Sequence, residues 1–246
     1  MTTVPLWKSL ETSLRQGQAV VFSTVVHQRG SAPRPDGASL LVRSDGSLLG
    51  AVSAGCLETD VVRHALRVLD TGQPELQGYR AVEADDPLGF GLSCGGSVDL
   101  AIERWGPELL PRLELLFEAL AEDRPVVLAT SLESPGQLAV RTTDQCEGDV
   151  SEAVRSQLLA IDLTETTAAA GQPWPAQAWL ASSSDGERFV VRLHRPATPL
   201  WIFGATDSAD ALAALARPLG FCSTVVDARS HFATTERCPH ADAVVC

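Results

Sequence analysis

The chain has 246 residues, 45% of them apolar and 20% charged, which suits a folded protein with a substantial core and room for about two domains. Acidic side chains outnumber basic ones 31 to 19, for a net charge of −12, and no Lys/Arg run occurs; this argues against a nucleic-acid or anionic-membrane surface. No apolar run approaches the ~20 residues that span a bilayer, and the first ten residues lack the basic-then-apolar pattern of a signal peptide. The expected compartment is the cytosol, with the six cysteines reduced.

Leu6, Trp7, Leu10 and Leu14 form a helical stripe that Gly17 closes. The β-branched run Ala19–Val26 predicts a buried strand. Two prolines and two glycines make Arg29–Gly37 a loop, and Ala38–Arg43 and Leu48–Ser53 read as strands joined by a turn at Ser44-Asp45-Gly46. Beyond Cys56, the spacing of Leu57, Val61, Val62, Ala65, Leu66 and Leu69 predicts a helix ending at Gly72. A loop over Pro87–Gly96 precedes a strand from Val98 to Glu103.

Leu10–Val26 is echoed by Leu116–Leu132, with Thr24 and Thr130 aligned at an offset of 106 residues. Each copy reads as helix, polar turn and β-branched strand. A further helix over Val150–Ile161 and a strand over Arg188–Arg195 extend the second copy, which has neither the Pro-Arg-Pro loop nor a glycine-cysteine motif. If the repeat is real, the first copy carries the chemistry and the second is scaffold; coincidence between two common helix–strand patterns is the alternative.

Pro196 to Pro199 mark a boundary. Beyond it, strand Leu200–Phe203, turn Gly204, helix Ser208–Leu219, strand Cys222–Val226 and strand Ala243–Val245 make a Rossmann-like β-α-β segment. The fold class is therefore α/β: a mixed α/β domain over 1–105, a second α/β segment over 106–197, and a Rossmann-like segment over 198–246 that reads as incomplete, as in a fragment or a fold that another subunit completes.

Three places carry candidate chemistry. A dinucleotide fingerprint would put small residues at Gly204, Thr206 and Ala209; Thr206 would crowd a phosphate, and Asp207 either opposes an anion there or serves as the helix N-cap. Asp227 stands where a ribose-binding acid would, so NAD(P) binding is one reading of this end of the chain. Arg34, between two prolines, is a cation in a stiff segment, suited to a phosphate or carboxylate or simply solvated. Cys56 follows Gly55 just before a helix, a position that favours thiolate, although Glu58 and Asp60 oppose it. Cys94 precedes Gly95 and Gly96, whose amides offer an anion-binding nest. Thiolates are soft ligands for soft or sulfur-bound metal centres; the alternative is that the glycines only turn the chain and the thiols fill small gaps. The histidines show no ligand spacing, and no Ser-His-Asp elbow occurs.

Gly30-Ser-Ala-Pro-Arg-Pro-Asp-Gly-Ala38, Gly50-Ala-Val-Ser-Ala-Gly-Cys-Leu-Glu58 and Gly91-Leu-Ser-Cys-Gly-Gly96, in this order, resemble the XdhC/CoxI family of xanthine dehydrogenase accessory proteins. Trp201-Ile-Phe-Gly-Ala205, Val225-Val-Asp-Ala-Arg229 and Phe232 resemble the Rossmann domain of that family. The resemblance implies binding of molybdenum cofactor (molybdopterin), its protection while a cysteine desulfurase supplies sulfur, and delivery to a molybdenum hydroxylase of the xanthine dehydrogenase type, as in purine catabolism. Such a chaperone need not turn over a substrate. The resemblance makes Cys56 and Cys94 candidate contacts to the molybdenum of the cofactor, and Arg34, Gly55, Gly95 and Gly96 candidate contacts to its pterin phosphate or nucleotide. Ala54 and Thr206 stand where the family commonly has glycine. The other function classes are an NAD(P)-dependent oxidoreductase using Gly204 and Asp227, and a non-catalytic interaction subunit, with a homo-oligomer compatible with any of them.

Overall fold

A computed structural model describes residues 4–80, 95–163, 177–183 and 186–246. The chain divides into two compact units, one running to Arg195 and the other comprising Pro196–Cys246.

The larger unit is built twice from one plan. In the first repeat, helix α1 (Val4–Arg15) leads into β1 (Val20–Arg29), β2 (Ser39–Val42) and β3 (Leu48–Gly50), then α2 (Glu58–Thr71), β4 (Glu75–Tyr79) and β5 (Ser97–Trp105). The second repeat follows with α3 (Leu110–Ala121), β6 (Val126–Ser131), β7 (Leu138–Arg141), β8 (Cys146–Gly148), α4 (Glu152–Leu159), β9 (Ala178–Ser182) and β10 (Arg188–His194). The sheets have orders β3-β2-β1-β5-β4 and β8-β7-β6-β10-β9, antiparallel throughout, so each strand has a counterpart at the same place. The 106-residue offset carries Val4–Arg15 onto Leu110–Ala121 and Val20 onto Val126. The repeat read from Leu10–Val26 is thus a repeat of the fold.

Alternation along β1 and β5 explains the packing. Val21, Val25, Leu100 and Ile102 bury against Leu57, Val61, Ala65 and Val68 beside and along α2, while Phe22 and Trp105 join Trp7, Leu10 and Leu14 of α1 and Leu113 and Leu116 of α3. Each such side chain contributes about 1.5–3 kcal/mol when fully buried. In the second repeat, Val154 and Leu158 of α4 cover Val127, Ala129, Phe189 and Val191. The inner faces of the two sheets meet at Val26, Ala101, Leu132 and Val190.

In the smaller unit, β11 (Thr198–Phe203), β12 (Phe221–Val226) and β13 (Ala243–Val245) form a parallel sheet in that order, with α5 (Asp207–Ala216) between the first two strands. Ala205, Ala209, Val225 and Cys238 form its core. Thr206, rather than Asp207, is the N-cap: its hydroxyl accepts from the Ala209 N–H at 3.3 Å, and Asp207 falls within the first helical turn.

Candidate functional site

The direction of the strands gathers the glycine-rich segments of the first repeat. β1 ends at Arg29, its antiparallel neighbour β5 begins at Ser97 directly opposite, and β4 ends at Tyr79 opposite Val98. β3 ends at Gly50 opposite Leu40 near the start of β2. The Gly30–Gly37 loop, the 51–57 segment bearing Cys56, and Gly95-Gly96 therefore all leave one end of one sheet. Residues 81–94, including Cys94, lie outside the described residues.

Gly96 sits where a side chain has no room. A Cβ there would stand 2.5 Å from the Ser31 carbonyl oxygen and 2.7 Å from that of Arg29. The bare backbone expected at Gly96 is thus used by the chain itself, which brings residues 29–31 hard against it, whereas Gly95, with a φ of +79°, has open space around it. Gly55 differs: its φ of +108° favours glycine, and open space lies around it.

Ser53 and Glu58 brace the loop that carries Cys56. The Glu58 carboxylate accepts from the Ser53 N–H at 2.9 Å and from the Ser53 hydroxyl, and Ser53 Oγ accepts from the N–H groups of Gly55 and Leu57, each at 3.1 Å. Four donors around the start of α2 are satisfied this way, a variant of the capping box. Partial burial raises the Glu58 pKa, but the Ser53 hydroxyl and N–H outweigh it and the carboxyl lies below its ordinary value. Cys56, between these anchor points, is an exposed free thiol. Arg34 Nε donates to the Ser53 carbonyl at 3.3 Å, so the Pro-Arg-Pro loop and the cysteine loop touch. Sequence reasoning sees Glu58 only as a charge opposing the thiolate; Ser53, five residues upstream, is missed, although both lie inside the quoted motif.

Close by, Asp36 has a carboxylate oxygen buried without a hydrogen-bond partner, and burial raises its pKa. Among the described residues no group of three or more His, Cys, Asp or Glu is arranged to hold a metal ion.

In the smaller unit, Gly204 follows β11 and Asp227 follows β12, side by side. The Asp227 carboxylate accepts from the Ala205 N–H at 2.9 Å, the Arg229 N–H at 3.0 Å, and Arg229 Nε and Nη2 at 2.9 and 2.8 Å. Arg229 is the largest cause holding its pKa well below the usual carboxylate range. These four bonds match the roughly four acceptor positions a carboxylate offers, which leaves none for the ribose hydroxyls expected there.

Among the described residues no helix is long and apolar enough to cross a membrane. A model of the XdhC and CoxI family matches residues 13–80, and a model of the XdhC Rossmann domain matches residues 200–246. A Bacillus subtilis protein named as a probable xanthine dehydrogenase subunit is 28% identical over 96% of this chain and 68% of its own length. The molybdenum cofactor insertion chaperone PaoD of Escherichia coli is 35% identical over 37% of this chain and 28% of its own. A crystal structure described as a xanthine dehydrogenase from Bacillus halodurans superposes with a TM-score of 0.72 at 24% identity, covering 100% of this chain and 68% of that one, and shows the same fold. The two family models match in chain order, one on the cysteine-loop repeat and the other on the parallel sheet, so these two stretches of the chain are similar to the XdhC and CoxI family and to its Rossmann domain.

Proposed function

We propose that this protein is an accessory protein for a molybdenum hydroxylase of the xanthine dehydrogenase type, binding molybdenum cofactor as cargo at the glycine-cysteine end of its first repeat. The observation that carries the reading is the convergence of the Arg34 loop, the braced Cys56 loop and Gly95-Gly96 on one end of one sheet, with Arg34 bonded to the Cys56 loop. The names of PaoD and of the Bacillus subtilis relative support the same cargo and client.

In this reading Cys56 and Cys94 supply soft sulfur contacts to the metal, Arg34 binds the pterin phosphate or nucleotide, and Gly55 and Gly95 keep the backbone low enough for approach, while Gly96 serves the packing of residues 29–31 instead. The first repeat, within residues 1–105, carries the cargo, residues 106–197 are its scaffold, and 198–246 form a separate Rossmann-like domain. The protein shields the cargo while a cysteine desulfurase supplies sulfur, then releases it to the hydroxylase in the cytoplasm.

The test mixes the protein with released cofactor, removes free ligand by ultrafiltration, and assays retained molybdenum and pterin for wild type, Cys56→Ser and Cys94→Ser. Stoichiometric retention that each substitution weakens at least tenfold is expected. No retention by folded wild type contradicts the reading.

A further inference from the structure

Phe203 and Val226 pair in register at the carboxyl ends of two parallel strands, the edge where open α/β sheets take ligands. Arg229 is fixed there from two sides. Its Nε and Nη2 donate to Asp227, and its Cζ lies 3.9 Å from the centre of the Phe232 ring. A guanidinium carries five N–H donors. Asp227 takes the Nε hydrogen and one on Nη2, which leaves one Nη1 and one Nη2 hydrogen side by side on the Nη1–Nη2 edge. That edge is the planar fork that phosphate oxygens accept in pairs.

The Arg229 side chain is 54% exposed, so this edge is within reach of a ligand although the residue is anchored. Much of the rotamer freedom that binding would remove is already lost on folding. A second guanidinium, that of exposed Arg237, stands 4.9 Å from the centre of the same ring. Two like charges sharing one ring repel each other. An anion between them relieves that repulsion. Asp207, on the first turn of α5, works against an anion at the helix terminus itself, so the attraction rests on the two arginines.

Asp227 adds a second constraint. In a dinucleotide site an acid at this place accepts from a ribose diol, but here its acceptor positions are filled by Ala205 and Arg229. The same carboxylate instead orients a phosphate-binding fork.

We propose that the smaller unit carries a site for a nucleotide-type ligand bearing a phosphate monoester, bound by Arg229 and Arg237, with Asp227 as the residue that positions Arg229. The site discriminates against the same ligand with a free ribose hydroxyl in place of the phosphate. It is independent of the cysteine site of the first repeat.

Calorimetric titration of the full chain with NADP+, NAD+ and inorganic phosphate tests this. NADP+ is expected to bind at least tenfold more tightly than NAD+, and Arg237→Ala to remove most of that preference without changing the thermal midpoint. Arg229→Lys keeps a charge but not the fork and is expected to reduce the preference too. Competition by inorganic phosphate as strong as that of NADP+ also supports the site and makes the phosphate its whole recognition element. Equal affinity for NADP+ and NAD+, binding of none of the three by folded protein, or an unchanged preference in Arg237→Ala overturns the proposal.

Discussion

Glu103 and Arg192 occupy equivalent positions in the two repeats, carry opposite charges, and pair with each other between the sheets. The register makes the equivalence explicit: Glu103 lies opposite Phe22 on β1, Arg192 lies opposite Leu128 on β6, and Phe22 and Leu128 correspond under the repeat. The equivalent threonines complete the network. Thr130 donates to Glu103 and accepts from Arg192 Nη1 at 2.9 Å, while Thr24 accepts from Arg192 Nε and Nη2 at 3.2 and 3.1 Å. Both charged side chains are only 5% exposed, and the guanidinium lies 5.8 and 5.7 Å from the centres of the Phe22 and Trp105 rings. A position shared by two repeats has thus diverged into a donor and an acceptor.

Removing one partner leaves the other charge buried, at a cost of about 3–5 kcal/mol. Urea unfolding is expected to show Arg192→Ala and Glu103→Ala each destabilised by that order, and the double replacement Glu103→Met/Arg192→Met close to wild type. Additive losses in the double variant would mean that the two charges act independently.

Loss of the Ser53–Glu58 brace is expected to loosen the Cys56 loop more than the fold. Ser53→Ala should cost about 1 kcal/mol, the order of a lost helix cap, and should raise the alkylation rate of Cys56 by iodoacetamide severalfold. An unchanged rate would show that the thiol is placed by other contacts.

The same brace has a pH signature. The folded-state pKa of Glu58 is lowered, so its stabilisation is fully present above the ordinary glutamate pKa of about 4.3 and is lost as pH falls toward the folded value. Between neutrality and about pH 3, wild type should lose more stability than Glu58→Gln. Parallel stability curves for the two proteins would contradict this.

Gly96→Ala is expected to disrupt the end of the sheet where the glycine-rich segments meet. The added methyl would meet two backbone carbonyls, which cannot yield as a flexible side chain does. A loss of roughly 1–3 kcal/mol follows, the range for overpacking, with reduced protection from amide exchange at Arg29–Ser31. Gly55→Ala meets only the strain of its positive φ, so it should cost less; a larger loss at Gly55 would reverse this ranking.

Much of this architecture is legible in the chain because apolar spacing records burial. The Leu57–Leu69 stripe marks α2, Gly72 ends it in the left-handed conformation, and the β-branched run from Ala19 marks β1. β4 is not legible: Glu75-Leu-Gln-Gly-Tyr79 contains a glycine and no β-branched residue, and it is a strand because β5 pairs with it. β7, β8 and β9 are missed as well, their short spans gaining order from β6, β7 and β10 respectively. At the candidate site, the types of Arg34, Cys56 and Asp227 indicate chemistry, whereas Arg34 bonds to Ser53 and Asp227 to Arg229, partners that only folding or a local turn brings into reach. The competition between Thr206 and Asp207 for the N-cap likewise turns on backbone position, since both side chains can accept the bond.

Participation of Cys56 in binding molybdenum cofactor, the central claim, is tested most directly by differential alkylation read by peptide mass spectrometry. Protein incubated with released molybdopterin cofactor is compared with the free protein, with the partly exposed Cys146 of the second repeat as an internal reference. The cofactor is expected to slow labelling of Cys56 and Cys94 at least tenfold while Cys146 reacts at its free rate. Equal labelling of Cys56 with and without bound cofactor would contradict the claim.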